Sequence, residues 1–285
     1  MAVYKRGYEP YEGRLTPEWS RCLAIAWQAY RRVFDSRLLV AYLALCFICP
    51  VVCAVIMYLP HNAGALKMLP GANLISVKPE FFLRFMHCQG WLGFILTAFI
   101  GPGLVSSDLA NNALPLYFSR PFSRTEYVLG KSSVLAILLS FITWIPGLAL
   151  FAFQSYLAGF EWFRDNLQVA YALFVGFWVW IALLSLLALA MSAWVRWKLA
   201  AGALILAILF VAAGFGEAFN KIVHTQAGRL INVVQVINTI WSSMLGVANS
   251  SGISPENAWM ALAAGCALCL HLLSRKIRAY EVERS

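Results

Sequence analysis

Residues 169–195 read VAYALFVGFWVWIALLSLLALAMSAWV and contain no charged side chain. A helix needs about 20 predominantly apolar residues to cross the roughly 30 Å of hydrocarbon in a bilayer, so this stretch is long enough to span it. The composition of the whole chain agrees, since 61% of its 285 residues are hydrophobic and only 12% are charged. Soluble proteins carry about a quarter charged residues. The stretch therefore predicts a membrane protein.

Other parts of the chain repeat this pattern. Together with 169–195, the apolar stretches are 38–59, 90–106, 134–153, 199–219 and 258–273. Those at 90–106 and 258–273 are short, and we expect them to include flanking residues. Lipid offers no partner for backbone N–H and C=O groups, and helices satisfy these groups internally. The sequence thus predicts an all-α, polytopic membrane protein with six transmembrane helices in residues 38–273.

The positive charges indicate the orientation of these spans. The two termini and the even-numbered loops carry sixteen of the chain's 22 Lys and Arg residues, and the opposite loops carry the remaining six. Cytoplasmic segments are enriched in Lys and Arg, so both termini, including the tail 274–285, are predicted to be cytoplasmic. We expect a multi-pass protein of the plasma (bacterial inner) membrane. The net charge of +9 reflects the enrichment of Lys and Arg on one side of the membrane rather than nucleic-acid binding.

The tail 1–37 has the pattern of an interfacial helix. Thr16, Pro17 and Glu18 form a helix start, and aromatic residues recur from there at helical spacing. A basic amphipathic helix of this kind lies in the plane of the membrane surface. The alternative, a helix of a small soluble domain, is disfavoured because the tail leaves no room for one. The residues assigned to the interfacial helix are Trp19, Arg21, Trp27, Arg31 and Arg32.

The segment 220–255 is harder to interpret. Apolar residues repeat in it at helical spacing from Leu230 to Leu245, with polar residues between them. A seventh span here would place the basic tail outside, against the charge bias. We therefore predict an external amphipathic helix before the sixth span, which lies at the outer leaflet or dips into it.

Residue patterns for catalysis are weak throughout the chain. Cysteines at 46, 49 and 53 and at 266 and 269 follow helical spacing, which is typical of small apolar residues on a packed face. No zinc-type ligand spacing, Gly-x-Ser-x-Gly elbow or pair of acid/base carboxylates occurs, and the spans hold almost no ionisable residue. We predict no catalytic residue, no metal site and no ion coupling in this chain.

The predicted cytoplasmic loop 107–131 ends in Gly130-Lys131-Ser132-Ser133, which resembles the end of a phosphate-binding P-loop. The first glycine of that motif would fall at Thr125, so the motif is incomplete. We expect Lys131 to lie where the chain re-enters the lipid headgroups. On the residues alone, a basic helix-turn that binds a partner and a headgroup anchor remain alternatives.

The run LYFSRPFSRTEYVLGK, residues 116–131, resembles the first cytoplasmic loop of type-2 ATP-binding-cassette (ABC) transporter permeases. Six spans, a preceding interfacial helix and an external helix before the sixth span are also similar to that family. The coupling helix of that family often contains further acidic residues and a Gly-Thr pair. In this chain those positions hold Ala110, Asn112-Ala113 and Pro115. The matching positions are Asp108, Leu114, Ser119, Pro121, Ser123, Arg124, Tyr127, Gly130 and Lys131.

The resemblance implies a permease subunit, the membrane part of an exporter, with no nucleotide site or cofactor of its own. ATP and Mg would bind a dimer of cytoplasmic ABC ATPase subunits, and a second permease copy or paralogue would complete the transporter. The implied ATPase contacts are Asp108, Asn111, Asn112, Arg120 and Arg124 in the coupling loop.

Family analogy also places the substrate path on spans two and five. Their aromatic residues indicate an amphiphilic or lipid-like substrate, although helix packing would explain the same residues. The residues in question are Trp91, Phe94, Phe99, Phe210 and Phe215. A rival interpretation is a membrane anchor or scaffold for a cytoplasmic complex, without transport; a polar seam would favour transport, and a uniformly packed interior would favour the scaffold.

The predicted topology can be tested by cysteine labelling after the native cysteines are removed. A cysteine placed within 246–254 should react with an impermeant thiol reagent in intact cells, because this segment is predicted to be external. Ser285→Cys should react only after permeabilisation. Labelling of Ser285→Cys in intact cells would contradict the six-span topology and favour a seventh span.

Overall fold

The structure is a computed structural model that describes residues 27, 30, 31, 33–61, 77–111, 124–195, 197–223, 227–249 and 251–276. The described residues are about 90% helical and include no β-strand. Six helical segments are long and apolar enough to cross a membrane. The predicted all-α class and the predicted number of spans are confirmed, whereas the side of the membrane on which each terminus lies stays a prediction.

The spans are numbered here in chain order, and the first three each consist of two helices. Span 1 comprises α1 (Arg37–Cys46) and α2 (Ile48–Tyr58), span 2 comprises α3 (Pro79–Ile100) and α4 (Pro102–Ala110), and span 3 comprises α5 (Arg124–Ile142) and α6 (Trp144–Ala158). A short helix, α7 (Phe160–Asp165), leads to span 4, which is α8 (Leu167–Trp194). Span 5 is α9 (Lys198–Val223), and α10 (Val233–Leu245) precedes span 6, which is α11 (Pro255–Lys276).

The breaks in spans 1 to 3 lie within three residues before Pro50, Pro102 and Pro146. A proline has no N–H to donate to the carbonyl four residues earlier, so each break leaves a backbone acceptor without its helical partner. In span 1 the acceptor freed by Pro50 is the carbonyl of Cys46, and the buried Gln89 side chain of span 2 donates its Nε2–H to that oxygen at 3.1 Å. A polar side chain from span 2 thus satisfies the break in span 1.

Span 4 is the centre of the helical bundle. It packs against helices of spans 2, 3, 5 and 6 and against α10, whereas span 1 packs on spans 2 and 3. Spans 2, 3 and 4 are equally buried, with 61% of their most apolar 18 residues inside the bundle, against 17–22% for spans 1, 5 and 6. The stretch 169–195 that predicts a span from its composition is therefore also the element around which the other helices are arranged.

Helix α10 is inserted into this bundle. Its Trp241 is buried and donates its indole N–H to the carbonyl of Gly176 on α8 at 3.0 Å. Gly176 is nine residues into α8, about 14 Å along that helix from its first residue. On the other side, His87 of α3 is 2.9 Å from the Asn238 side-chain oxygen of α10. The helix predicted to lie at the outer leaflet or to dip into it thus packs between spans, and the leaflet that it enters stays a prediction.

Both ends of α10 have defined caps. The side chain of Asn232 accepts hydrogen bonds from the backbone N–H groups of Val234 and Gln235, at 3.1 and 3.3 Å. At the other end, Gly246 adopts a left-handed conformation with φ of 67°, which glycine reaches without a steric penalty. These caps confine the helix to the 13 residues that fit beside span 4.

The packing of α10 requires a glycine at position 90. A Cβ at this position would lie 2.8 Å from Cη2 of the rigid Trp241 ring. Gly90→Ala should therefore destabilise the protein by about 1–3 kcal/mol through overpacking. A lower unfolding temperature of the detergent-solubilised protein would measure this loss.

Gly265→Ala is a matched control, because a Cβ there would meet no atom within 4 Å among the described residues, apart from its chain neighbours and its own helix backbone. That variant should unfold at the same temperature or slightly higher, since alanine favours a helix over glycine. Equal melting temperatures for the two variants would contradict the close packing of α10 on span 2.

Candidate functional site

The two ends of loop 107–131 are joined by a buried ion pair. Asp108 lies in the last turn of α4, and Lys131 lies two turns into α5. The Lys131 ammonium is 2.8 Å from Oδ2 of Asp108. The Tyr127 hydroxyl, one turn before Lys131, donates to the same carboxylate oxygen at 2.8 Å. The ends of spans 2 and 3 are thus joined by three side chains, named here the Asp108–Tyr127–Lys131 cluster.

This cluster is removed from solvent. Asp108 and Lys131 are 8% and 7% exposed, and Tyr127 is fully buried. Burial of a charge costs several kcal/mol, and a buried pair is tolerated when its geometry is close and further hydrogen bonds satisfy its remaining groups. The Tyr127 hydroxyl supplies such a bond, and the Lys131 ammonium lies 5.6 Å from the centroid of the Tyr127 ring, within cation–π range. The three side chains therefore act as one unit.

A hydroxyl from span 4 fixes the start of α4. The buried Ser192 hydroxyl oxygen accepts from the N–H groups of Val105 and Ser106, at 3.1 and 2.9 Å. The same hydroxyl donates to the carbonyl of Pro102 at 2.9 Å. Ser192 therefore attaches the first turns of α4 to span 4, and Asp108 attaches the end of α4 to span 3.

The structure places the other predicted coupling residues only in part. Asn111 is exposed directly after α4, where a partner could reach it. Asn112 and Arg120 lie outside the described residues, and Arg124 begins α5 with a side chain outside them. Asp108 faces the interior rather than a partner. The ATPase contact of Asp108 stays a prediction. In the structure its carboxylate is already bonded to Lys131 and Tyr127.

The side chain of Lys131 is buried inside the protein, and its expected position where the chain re-enters the lipid headgroups stays a prediction. Its ammonium is buried against Asp108, because the carboxylate provides a closer partner than a headgroup could. The sequence contained a signal for this pair, since Asp108, Tyr127 and Lys131 all belong to the pattern that resembles the permease loop. The sequence alone does not show that Asp108 and Lys131, which are 23 residues apart in the chain, are in contact.

Part of the predicted interfacial helix is described. Trp27 is exposed and helical, and the Arg31 guanidinium lies 6.0 Å from its ring centroid. Tyr30 donates its hydroxyl to the carbonyl of Ser133 on α5 at 3.1 Å, and burial raises the pKa of Tyr30 to about 12. The segment is therefore attached to the same helix that carries Lys131. Trp19, Arg21 and Arg32 lie outside the described residues.

The aromatic residues predicted to line a substrate path have different environments. Phe94 is buried, with its ring 6.0 Å from that of Trp91 in an edge-to-face contact. Trp91, Phe99, Phe210 and Phe215 are between 43% and 65% exposed on spans 2 and 5. Phe94 thus belongs to the packed interior, and the other four leave apolar surface on spans 2 and 5 uncovered. Their role in a substrate path stays a prediction.

Spans 2 and 5 meet α10 and span 4 at a narrow crevice. Its volume is about 30 Å³, enough for a water molecule and too small for a lipid-like substrate. A lipid-like molecule could therefore pass through this crevice only if the helices separated. The crevice is lined by His87, Gly90, Trp91, Trp180, Leu209, Val234, Ile237, Asn238 and Trp241.

A comparison of the chain with protein-family models finds no matching family, and a comparison with curated proteins finds no match. Within the described residues, no group of three or more His, Cys, Asp or Glu side chains is arranged to bind a metal ion. The functional interpretation therefore depends on the geometry of the loop and of the helices to which it is attached.

The buried pair can be tested by a double-mutant cycle. Lys131→Met leaves the Asp108 carboxylate buried without its cation and should destabilise the protein by about 3–5 kcal/mol. Adding Asp108→Asn removes the orphaned charge and keeps an acceptor for Tyr127, so the double variant should recover most of that stability. Unfolding of the purified protein in detergent, followed by tryptophan fluorescence, measures both values.

Lys198→Met is the control, because Lys198 is an exposed lysine at the start of α9. Its effect should stay within about 0.5 kcal/mol. If the double variant instead loses the sum of the two single effects, Asp108 and Lys131 do not act as a pair.

Proposed function

We propose that this chain is the transmembrane permease subunit of an ABC exporter of the type-2 class. Two permease subunits, identical or related, would stand beside a dimer of cytoplasmic ABC ATPase subunits in the bacterial inner membrane. Those partners would bind ATP and Mg, and hydrolysis of the bond between the β- and γ-phosphates of ATP would supply the free energy. The substrate proposed here is an amphiphilic or lipid-like molecule that moves between the two permease subunits.

Support comes first from the attachment of α4, which leads into the loop with the permease-like pattern. Ser192 attaches its start to span 4, and Asp108 attaches its end to Lys131 on span 3. A movement of the loop would therefore displace spans 3 and 4 together, because α4 is attached to both of them. A coupling helix needs this property, because the ATPase moves as a rigid body beneath the membrane.

The uncovered aromatic surface gives weaker support for the substrate class. Phe210 and Phe215 on span 5 are 65% and 59% exposed, and Phe99 on span 2 is 57% exposed. Apolar surface of this kind is suited to lipid chains or to a second subunit. Because the crevice between these spans holds about 30 Å³, the substrate would pass on the outer side of the bundle, between subunits, rather than through a single chain.

A specific observation favours the rival function as a scaffold. Within the described residues the interior around span 4 is closely packed. The ring of Phe177 contacts the rings of both Phe85 and Trp241, and all three side chains are buried. A scaffold that only docks a cytoplasmic complex needs no more than this. The two functions differ in one measurable respect: only a transporter moves its substrate when ATP is hydrolysed.

The coupling loop provides the decisive test. Replacing both Arg120 and Arg124 with Ala should reduce the amount of ABC ATPase that co-purifies with the tagged chain by roughly tenfold or more. Charge-assisted hydrogen bonds contribute about 1.5–3 kcal/mol each, and about 1.4 kcal/mol corresponds to a factor of ten. The co-purified ATPase is quantified by mass spectrometry, and ATP hydrolysis by the complex is measured in nanodiscs.

The matched control is Arg31→Ala with Arg32→Ala, which removes the same charge from the predicted interfacial helix. This variant should keep more of the ATPase than the loop variant does. Equal losses in the two double variants, or no loss in either, would show that the loop is a headgroup anchor and would contradict the proposed coupling role.

A further inference from the structure

A group of thiols lies where span 1 packs on span 2. Cys49 and Cys53 are on α2, one helical turn apart, and Cys88 is on α3. The thiol of Cys49 is in hydrogen-bond contact with the thiols of both Cys53 and Cys88. Every cysteine that the structure describes is a free thiol. Cys49, Cys53 and Cys88 are named here the thiol cluster.

Hydrogen bonds hold the two helices of the cluster in a fixed register. The Tyr42 hydroxyl donates to the carbonyl of Leu92 at 2.8 Å, and the Gln89 side chain donates to the carbonyl of Cys46 at 3.1 Å. Residue numbers rise along span 1 where they fall along span 2, so Cys49, one turn beyond Cys46, comes beside the neighbour of Gln89. The contact between Cys49 and Cys88 therefore belongs to the packing of the two spans.

The cluster lies in the middle of span 1 and faces outward. Cys49 is twelve residues from Arg37 and twelve from His61, the two ends of that span. This is about 18 Å along the helix from Arg37. Cys88 is exposed, and Cys49 and Cys53 are half-buried. In a bilayer the thiols would meet hydrocarbon, so an apolar reagent would reach them more readily than a water-soluble one.

The two thiol contacts differ in what they can become. A disulfide holds its Cβ atoms about 3.5–4.5 Å apart, whereas residues four apart on a helix hold theirs about 5–6 Å apart. Cys49 and Cys53 are four residues apart on α2, so a disulfide between them would distort that helix. Cys49 and Cys88 are on separate helices, and this restriction does not apply to them.

The cluster also favours reaction with an oxidant. The thiolate of a cysteine, rather than its thiol, is the form that reacts. A charged sulfur is costly in apolar surroundings, and a neighbouring S–H donor reduces that cost. Each thiol of the cluster has at least one such neighbour, because Cys49 contacts both of the others.

We propose that Cys49 and Cys88 form a redox modification site, at which a membrane-soluble hydroperoxide converts the two thiols to a disulfide that links span 1 to span 2. Cys88 is the exposed thiol and meets the hydroperoxide first. Its sulfur takes the terminal oxygen as the O–O bond breaks, which gives a sulfenic acid and an alcohol. The Cys49 sulfur then attacks the sulfenic sulfur, and the hydroxyl leaves as water with the Cys49 proton.

Overall, two thiols and one hydroperoxide give one disulfide, one alcohol and one water. The two thiols lose two electrons, and the O–O bond accepts them. The disulfide would fix α2 on α3 directly after the break in span 1, beside Pro50. This reaction requires neither an ATPase nor transport, so its outcome is independent of the proposed function.

The test uses the purified full-length chain in nanodiscs, with a protease site inserted between residues 61 and 77. The chain is treated with cumene hydroperoxide, its remaining thiols are alkylated, and it is then cleaved. A disulfide between spans 1 and 2 keeps the two fragments joined on a non-reducing gel, and dithiothreitol separates them. The joined fraction should fall at least about tenfold in Cys49→Ser and in Cys88→Ser, because each variant lacks one of the two sulfurs.

Two variants serve as controls. Cys46→Ser removes a buried thiol one turn before Cys49 and should leave the joined fraction unchanged. Cys53→Ser removes the third thiol of the cluster, which forms no disulfide, so the final joined fraction should again be unchanged. Tandem mass spectrometry of the joined peptides identifies the two cysteines.

The proposal is overturned if cumene hydroperoxide leaves the fragments of the unmodified chain separate. It is also overturned if Cys88 is found bonded to Cys46, to Cys53 or to a second chain. Mapping the disulfide in the unmodified chain decides this even if a serine variant fails to fold.

Hydrogen peroxide at equal concentration tests the class of oxidant. It should join the fragments at least about threefold less, because it partitions poorly into hydrocarbon. Equal yields from the two peroxides would contradict the assignment to a membrane-soluble hydroperoxide.

Discussion

The Lys131 ammonium and the Asp108 carboxylate meet at a point from which most water is excluded, and neither charge could remain there without the other. This requirement fixes the distance between the end of span 2 and the start of span 3. The Tyr127 hydroxyl restricts the geometry further, because it shares the carboxylate oxygen that the lysine contacts. A loop attached in this way has two rigid ends, whatever the conformation between them.

Span 4 connects that fixed loop to the opposite end of the bundle. Near its last turn, Ser192 makes hydrogen bonds to the backbone of α4, and nearer its first turn, the Gly176 carbonyl accepts from Trp241 of α10. The two contacts are 16 residues apart on one helix, about 24 Å. A displacement of α4 would therefore act on span 4, and span 4 also holds α10. In this way one helix connects the loop end of the bundle with the end that contains α10.

The sequence predicts some levels of this structure well and others poorly. The six spans follow from apolar length, because a helix is the way a single apolar segment satisfies its backbone in lipid. The depth at which α10 packs between spans does not follow, because Thr239 and Ser242 give the helix a polar face in the sequence. In the structure their hydroxyls donate to the carbonyls of Gln235 and Asn238 on the same helix, at 2.8 Å each, so both side chains can be buried.

The candidate site shows the same limit. Asp108 and Lys131 each belong to the pattern that resembles a permease loop, so sequence reasoning identified both residues. It placed them at surfaces, in contact with a partner or with headgroups, because charged residues are rarely buried unless they are paired. The pairing depends on how α4 and α5 approach each other, and that approach is set by packing against span 4. No local pattern contains this information.

The insertion of α10 has a consequence for the biogenesis of the protein. Residues 233–245 are synthesised after span 5, yet their binding site is formed by spans 2 and 4, which leave the ribosome earlier. Until Trp241 arrives, the surfaces of Gly90 and Gly176 are covered only in part, by Trp180 and Met86. Assembly of this membrane domain must therefore finish with a docking step that follows insertion of the earlier spans, and a chain truncated before residue 233 would lack the residue that closes its own core.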